Sequence, residues 1–372
     1  MNEVREIKLH ASRSSTIMIG YGLKEEAGRI IRKNVGGAKA VLVCDETVGG
    51  LYGNDMAASL AADGYDVSVF SFPAGEQSKN LQTYSELLGF AAKHELSRSD
   101  VLIAFGGGVA GDLGGFAAAT YMRGINLVQI PTSLLAMVDS SVGGKTAVDL
   151  PQGKNLAGAF YQPDLVICDP SFLNTLPSRI YQDGFAEIIK YGILSGRDLF
   201  DRIKTPEAVA REDIRDIIAD CIELKAKITE SDEKDRDTRQ MLNLGHTAGH
   251  AIEVLSGYEV SHGRSVAAGL LVMAAASHAA GICSGDCMRE VREAIEAWKL
   301  CDASLPGAGE ISHAAFSDKK RRGEKITAVF IKDIGDCFLK SMSFADFSAL
   351  IEAGMQNPEI NMKSIHGHSC GA

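Results

Sequence analysis

Apolar residues follow two rhythms along this chain. In the first half they come in short, β-branched runs: AVLVCD (40–45), DVSVFSF (66–72), VLIAF (101–105), NLVQIP (126–131) and LVICDP (165–170). Such runs predict strands buried on both faces, as in a parallel sheet. Between them, segments such as 55–63 and 80–94 space their apolar residues at the helical period. This repetition predicts an α/β N-terminal domain with a parallel, Rossmann-like sheet covered by helices on both faces. Past Leu176-Pro177 the rhythm changes. Long Ala/Leu/Ile/Glu/Lys stretches, 208–231 and 264–281 among them, predict a mostly α-helical C-terminal domain. A strand-like run, ITAVFI (326–331), and a last helix near 343–354 follow. The boundaries are therefore drawn at 1–178 and 179–358, with a tail, 359–372, that has no periodicity and is expected to be mobile.

A length of 372 residues suits two domains, and 45% hydrophobic with 23% charged residues is the balance of a folded globular protein. No apolar stretch approaches the roughly 20 residues of a bilayer span, which speaks against a membrane protein. The N-terminal MNEVREIKLH carries no apolar signal core, and the eight cysteines form no C-x-x-C pair. Both predict a cytoplasmic protein with reduced thiols. Cys283 and Cys287 stand closest, but no second pair accompanies them to complete a zinc site. A net charge of −10 argues against nucleic acid as the main partner.

Four segments carry candidate chemistry. In VLIAFGGGVAGDLGGF (101–116) a strand runs into Gly106, Gly107 and Gly108, and a helix is predicted from about Val109. Bare glycines let backbone approach a pyrophosphate, and the N–H groups of a helix start favour negative charge. Gly106, Gly108 and Gly111 satisfy G-x-G-x-x-G, a weak signal alone, and a strand-to-helix packing turn would look the same. The acid expected about 20 residues downstream is missing, which leaves Asp45, ending an earlier strand, for the ribose. AGEQSK (74–79) follows another strand end and by itself reads as a solvated turn. In QIPTSLLAMVDSSVGGKTAVDLPQGKN (129–155), Lys145 and Lys154 are expected in glycine- and hydroxyl-rich loops with Asp139 and Asn155, where lysine is a point-charge ligand for phosphate. Finally, NLGHTAGHAIE (243–253) places His246 and His250 at i, i+4 on one helix face, SHGRS adds His262, and GFAEIIKYG (184–192) offers Glu187. Imidazoles with one carboxylate suit a catalytic zinc-type site, and spacing alone pairs His246 with His250.

Together these segments resemble the 3-dehydroquinate synthase family of sugar-phosphate cyclases. The likeness runs from about residue 40 to residue 330 and rests on GEQSKN, GGGVAGDLGGFAAATYMRG, PTSLLAMVDSSVGGKTAVDLPQGKN, FAEIIKYG, RQMLNLGHTAGHAIE, HGRSVAAG and DKK. The resemblance implies NAD contacts at Asp45, Gly75, Glu76, Lys79, Gly107, Gly108, Val109, Asp112, Thr132, Ser133, Lys145, Lys154, Phe172 and Thr175. It implies a zinc or cobalt ion held by Glu187, His246 and His262, which moves His250 from ligand to a proton-handling group facing substrate. Asp139, Lys190, Lys225, Arg239 and Asn243 would join His250 in the chemistry. Phosphate and hydroxyl contacts would come from Lys145, Lys154, Asn155 and a lysine of Lys319 and Lys320. Arg123 would reach a neighbouring subunit's site in a homodimer. The implied activity is that of an NAD- and metal-dependent phosphorus–oxygen lyase. It converts 3-deoxy-D-arabino-heptulosonate 7-phosphate to 3-dehydroquinate and phosphate, in the shikimate route to aromatic amino acids.

The family usually has a large aromatic where this chain has Ala248, and a small change in packing is expected there. Alternatives on the same architecture are aminodehydroquinate synthase, 2-deoxy-scyllo-inosose or 2-epi-5-epi-valiolone synthase, and an iron-type alcohol or glycerol dehydrogenase. Lys225, Arg239 and Asn243 match a carboxylated substrate, and the lysine-bearing 145–155 block speaks against the dehydrogenases. A catalytically dead binding protein would not need Glu187, Lys190, His246 and His262 intact.

Overall fold

The computed structural model describes residues 4–210, 213–301, 305–319 and 325–358. The chain divides into two compact units, Met1–Pro177 with Ile214–Lys234, and Ser178–Asp213 with Asp235–Ala372. No helix among the described residues is long and apolar enough to cross a membrane.

In the first unit, β1 (Arg5–His10), β2 (Ser14–Ile19), β3 (Lys39–Asp45), β4 (Asp66–Phe72), β5 (Val101–Gly106), β6 (Asn126–Pro131) and β9 (Leu165–Cys168) build one sheet in the order β1-β2-β9-β6-β5-β3-β4. Every pairing is parallel except β1 with β2. Counting from the β4 edge, the strands from β3 onward lie as second, first, third, fourth, fifth: a doubly wound sheet whose order reverses between β3 and β5. The crevice beyond the carboxyl ends of those two strands is where such sheets bind ligands. β5 and β9 are buried throughout and β3 and β6 nearly so, as their unbroken apolar runs predict. β4 departs from the expectation of a buried strand. It lies at the sheet edge with only one neighbour, and Val69 is 43% exposed.

The segment around Lys145 and Lys154 also differs from the expected loops. β7 (Lys145–Leu150) and β8 (Gly153–Phe160) form an antiparallel hairpin packed on the helix Gly108–Thr120. A Cβ on Gly158 would meet the Thr146 carbonyl oxygen at 2.1 Å, so the strands lie together only because this residue has no side chain. The helix Ile214–Ser231, read from sequence as part of the C-terminal domain, instead belongs to the first unit. It and the residues after it are tied to the β1–β2 hairpin by polar contacts. Arg5 pairs with Glu223, the His10 N–H donates to Glu230 at 2.6 Å, and the Ser12 hydroxyl donates to Glu233 at 2.7 Å.

The second unit is mostly helical, with one hairpin of β10 (Lys325–Asp333) and β11 (Asp336–Ser343). Its core gathers Ala248, Ile252, Val272, Met273, Ile311, Phe330, Phe347 and Ile351. The helices His246–Leu255 and His262–Ala279 cross at backbone distance: a Cβ on Gly269 would stand 2.0 Å from the Gly245 carbonyl oxygen, and one on Gly249 would stand 2.7 Å from that of Ser265. Gly245 itself, at φ +78°, turns the chain into the first of these helices, a conformation that a side chain would strain. Ala248 is fully buried at this crossing.

Candidate active site

The helix crossing sets the position of two imidazoles. His246 opens one helix and His262 opens the other, and both present Nε2 to a single oxygen of Glu187. The distances to Glu187 Oε1 are 3.3 Å from His246 and 3.2 Å from His262. Glu187 comes from a third helix, Ser178–Ser195, and is completely buried. These three are gathered as one potential metal-holding group, their ligand atoms all within 4.8 Å of one another. His250, which spacing alone paired with His246, lies outside that group. Its ring is 5.2 Å from His246 and 5.8 Å from His262, and it is exposed. Spacing alone paired His250 with His246 because i, i+4 neighbours share a face; the geometry instead groups His246 with donors from two other helices.

Proton placement sharpens this picture. His246 Nδ1 lies 3.1 Å from the Leu244 carbonyl oxygen, and His262 Nδ1 lies 3.4 Å from Glu253 Oε2. Neither acceptor can donate, so each Nδ1 carries a hydrogen, and Nε2 is the nitrogen each ring turns to Glu187 and would offer to an ion. Two ring nitrogens and a carboxylate oxygen converging in a buried space need a positive charge among them, a proton on a ring or a metal ion. Burial works against charge on His262, yet Glu187 and Glu253 outweigh it and push its pKa up to about 10. Two nitrogens and one oxygen are a donor set that fits a divalent zinc- or cobalt-type ion with a position left for substrate. Glu187 Oε2 is engaged by Lys190 Nζ at 2.5 Å, one turn along the same helix. Burial raises the Glu187 carboxyl, but Lys190 and His246 hold it well below the ordinary range. Arg239 (2% exposed) and Asn243 lie in the turn Thr238–Asn243 of this unit.

In the first unit the expected dinucleotide residues gather beyond the carboxyl ends of β3 and β5. Gly106 ends β5, Gly107 caps the following helix, and that helix starts at Gly108, one residue before the predicted Val109. A Cβ on Gly107 would lie 3.4 Å from Ser133 Oγ and one on Gly108 3.4 Å from Ser140 Oγ, so the backbone here forms a cradle that side chains would fill. The Gly106 carbonyl accepts the Thr132 N–H at 3.0 Å. Asp45 caps the next turn through the N–H groups of Thr47 and Val48, while its Oδ2 lies 3.6 Å from where a Gly106 Cβ would stand. A carboxylate, a glycine cradle and a helix start at the switch point fit a dinucleotide. Beside them Lys79, 5% exposed, meets Asp112 at 2.6 Å and Glu76 at 3.7 Å, and Lys154 meets Glu76 at 3.6 Å. Burial opposes charge on Lys79, but Asp112 and Glu76 hold its pKa above the ordinary lysine value. Gly75, at φ +116°, turns the chain into that network.

Two side chains passed over in the sequence join these groups. Tyr52 shares a hydrogen bond of 2.6 Å with Thr175 and packs edge-on against Phe172 and Phe105. Asp149 accepts the Asn155 N–H at 2.7 Å. Neither had a motif to mark it. Lys225, on the helix that returns to this unit, donates to the Asp139 carbonyl at 2.7 Å and pairs with its carboxylate at 3.0 Å, so two expected substrate residues are brought together. Lys145 is exposed at the start of β7. Arg123 is exposed on a turn where Met122, Arg123 and Gly124 all take positive φ, a strained run. Lys319 ends the helix Ala308–Lys319, while Lys320 and the tail 359–372 lie outside the described residues.

Known proteins place this arrangement. The fold is that of the sugar-phosphate cyclases: 2-deoxy-scyllo-inosose synthase, solved with carbaglucose-6-phosphate, NAD+ and Co2+, superposes with a TM-score of 0.84 at 23% identity, covering 94% of this chain and 99% of that one. A 2-epi-5-epi-valiolone synthase from Streptomyces hygroscopicus, with NAD+ and Zn2+ bound, gives 0.82 at 23%, covering 95% and 99%. The family descriptions "3-dehydroquinate synthase N-terminal" and "3-dehydroquinate synthase C-terminal" match residues 69–183 and 184–321. The chain is 42% identical over 333 residues to 3-dehydroquinate synthase of Clostridium acetobutylicum, spanning 88% of this chain and 94% of that protein. It is 39% identical over 344 residues to that of Leuconostoc citreum, spanning 92% and 96%. The chain belongs to the 3-dehydroquinate synthase family.

Proposed function

We propose that this protein converts 3-deoxy-D-arabino-heptulosonate 7-phosphate to 3-dehydroquinate and phosphate in the cytoplasm, as a homodimer with NAD and a divalent metal at each site. The observation that carries the reading is the convergence of Glu187 Oε1 with the Nε2 atoms of His246 and His262. The relatives' name supports the substrate. When bound, NAD supplies a reversible hydride acceptor and the metal a Lewis acid.

The chain's own groups do the remaining work. Glu187, His246 and His262 would hold the ion, and Lys190, paired with Glu187, keeps that carboxylate charged. His250 takes and returns the proton of the substrate hydroxyl without ligating. The transient ketone acidifies the neighbouring C–H, so phosphate leaves and one of its own oxygens accepts the proton. Lys154, Arg239, a lysine of Lys319 and Lys320, and Arg123 of the partner subunit would hold that phosphate. Lys145 and Asn155 bind hydroxyls, and Lys225, set by Asp139, holds the carboxylate end with Asn243. The same contacts would keep the opened ring oriented so that one face closes in the aldol step. Asp45, Gly75, Glu76, Lys79, Gly107, Gly108, Val109, Asp112, Thr132, Ser133, Lys145, Lys154, Phe172 and Thr175 would seat the dinucleotide.

The test is phosphate release from the heptulosonate phosphate. Turnover should require NAD, accumulate no NADH, stop on chelation and return with zinc or cobalt. His246→Ala should lose metal, whereas His250→Ala should keep metal and lose rate. Equal metal loss in both variants would restore the spacing reading and overturn the ligand set. Equal turnover of glucose 6-phosphate or sedoheptulose 7-phosphate would make the chain a sibling cyclase instead.

A further inference from the structure

The two imidazoles of the donor set are held differently. His246 gives its Nδ1 hydrogen to a neutral backbone carbonyl, that of Leu244, at 3.1 Å. His262 gives its own to a carboxylate, Glu253 Oε2, at 3.4 Å. Glu253 is 5% exposed, and its side chain lies seven residues after His246 on the same helix, two turns along and so on the same face. A buried carboxylate is costly to leave ionised without a partner, and His262 is the partner that spans the two helices.

From this asymmetry we infer that Glu253 is the positioning residue of the metal centre, acting through His262. The inference rests on the ligand set proposed above. The carboxylate fixes His262 in the tautomer whose Nε2 is a lone pair, stops the ring rotating about its Cβ, and makes that nitrogen a stronger donor than His246 Nε2. It does so through Nδ1, on the far side of the ring from the Nε2 that faces Glu187. The centre therefore has two unlike histidines: one oriented by backbone and insensitive to side-chain replacement, the other tuned by a single removable carboxylate.

The experiment uses the full-length protein stripped of metal, with Co2+ as the probe. Affinity is read by competition with a chelator, and the visible absorption bands of the cobalt form are recorded alongside. Glu253→Ala should weaken Co2+ binding ~10–100-fold and shift the bands. Glu253→Gln retains an acceptor of the same shape but no charge, and should fall between that variant and the parent. If Glu253→Ala fails to fold, Glu253→Gln alone decides the matter. A merely structural glutamate would lower the melting temperature of the metal-free protein and leave the cobalt spectrum of the folded fraction unchanged, and that result overturns the inference. Parental affinity and spectrum in Glu253→Gln and Glu253→Ala do the same. His262→Ala separates this failure from failure of the ligand set: if it too binds Co2+ like the parent, the ligand set is wrong, and if it alone loses Co2+, only the role of Glu253 is wrong.

Discussion

Gly269 offers the most direct test of how the fold builds the site. It lies where the helix His262–Ala279 crosses the helix His246–Leu255, and a Cβ there would meet the Gly245 carbonyl oxygen at 2.0 Å and the Gly249 nitrogen at 2.6 Å. Both obstacles are backbone, so no rotamer relieves them. Ordinary contact begins near 3.4 Å, so in Gly269→Ala the helices must part by about 1.4 Å, the difference between that value and the closest approach. Overpacking of a tight core costs typically ~1–3 kcal/mol and occasionally more, and the rigidity of both obstacles puts this case at the upper end. At about 2.1 cal/mol/K per residue, a chain of 372 residues loses roughly 4 °C of melting temperature for about 3 kcal/mol. His246 and His262 ride on the two helices, and metal–ligand distances tolerate only about ±0.2 Å, so metal affinity should fall with stability. Gly309→Ala is the control. Its Cβ would meet nothing within 4 Å, so the change should be neutral or stabilising by up to about 1 kcal/mol. Thermal unfolding and chelator competition on both variants measure the two effects. A Gly269→Ala protein with the parental melting temperature would show slack that the distances deny. One that is destabilised yet binds metal normally would show that the crossing serves stability alone.

Asp100 is 4% exposed and accepts the N–H groups of Ala38, Lys39 and Ser97 and the Ser97 hydroxyl. Burial alone would raise its pKa, but these donors outweigh it and hold the carboxyl at about 2, against an ordinary 3.8. Its folded pKa is depressed, so its contribution of about 2 kcal/mol is present in full above pH ~4 and lost as pH falls through ~2. Asp100→Asn should lower stability at pH 7 by that order, with the gap to the parent narrowing in urea titrations below pH ~4; a gap that does not change with pH refutes the charge argument. Lys225→Ala removes a buried charge-assisted contact, about 1.5–3 kcal/mol, and should reduce kcat/KM tenfold to a hundredfold or more. If its efficiency is parental, Lys225 serves only to hold Asp139.

The sheet was legible where residues report their own surroundings. The unbroken apolar runs of β3, β5, β6 and β9 mark strands with neighbours on both sides, and their bounds come out within a residue or two. DVSVFSF borders solvent, and its serines, Ser68 and Ser71, break the apolar run that β3, β5 and β9 keep, a local sign of the edge position that the sequence reading passed over. The β7–β8 hairpin escaped for a different reason. Its second strand is lined by glycine and alanine, so the alternation that announces a strand carries no hydrophobic signal. The return of Ile214–Ser231 to the first unit depends on Arg5, His10 and Ser12, near the other end of the chain. Nothing local in a helix says which unit it will join.

The metal centre shows the same limit more sharply. Spacing on one helix states which side chains share a face, and by that measure His246, His250 and Glu253 are equivalent, at i, i+4 and i+7. Their fates differ because other helices approach that face from fixed directions. Glu187 and His262 come up beside His246, which makes it a donor toward them. His250 is left 5.2 Å away and exposed, and Glu253 meets the back of the His262 ring. What decides the approach is the set of glycines through which the helices touch. Gly245, Gly249 and Gly269 join the two histidine-bearing helices, and Gly263, whose Cβ would stand 2.3 Å from the Asp183 carbonyl oxygen, docks His262 against the helix that carries Glu187. Those glycines are visible in the sequence as small residues flanking each histidine. Read as contact points and not as flexible spacers, they would have pointed to a site shared among three helices before any ligand was assigned.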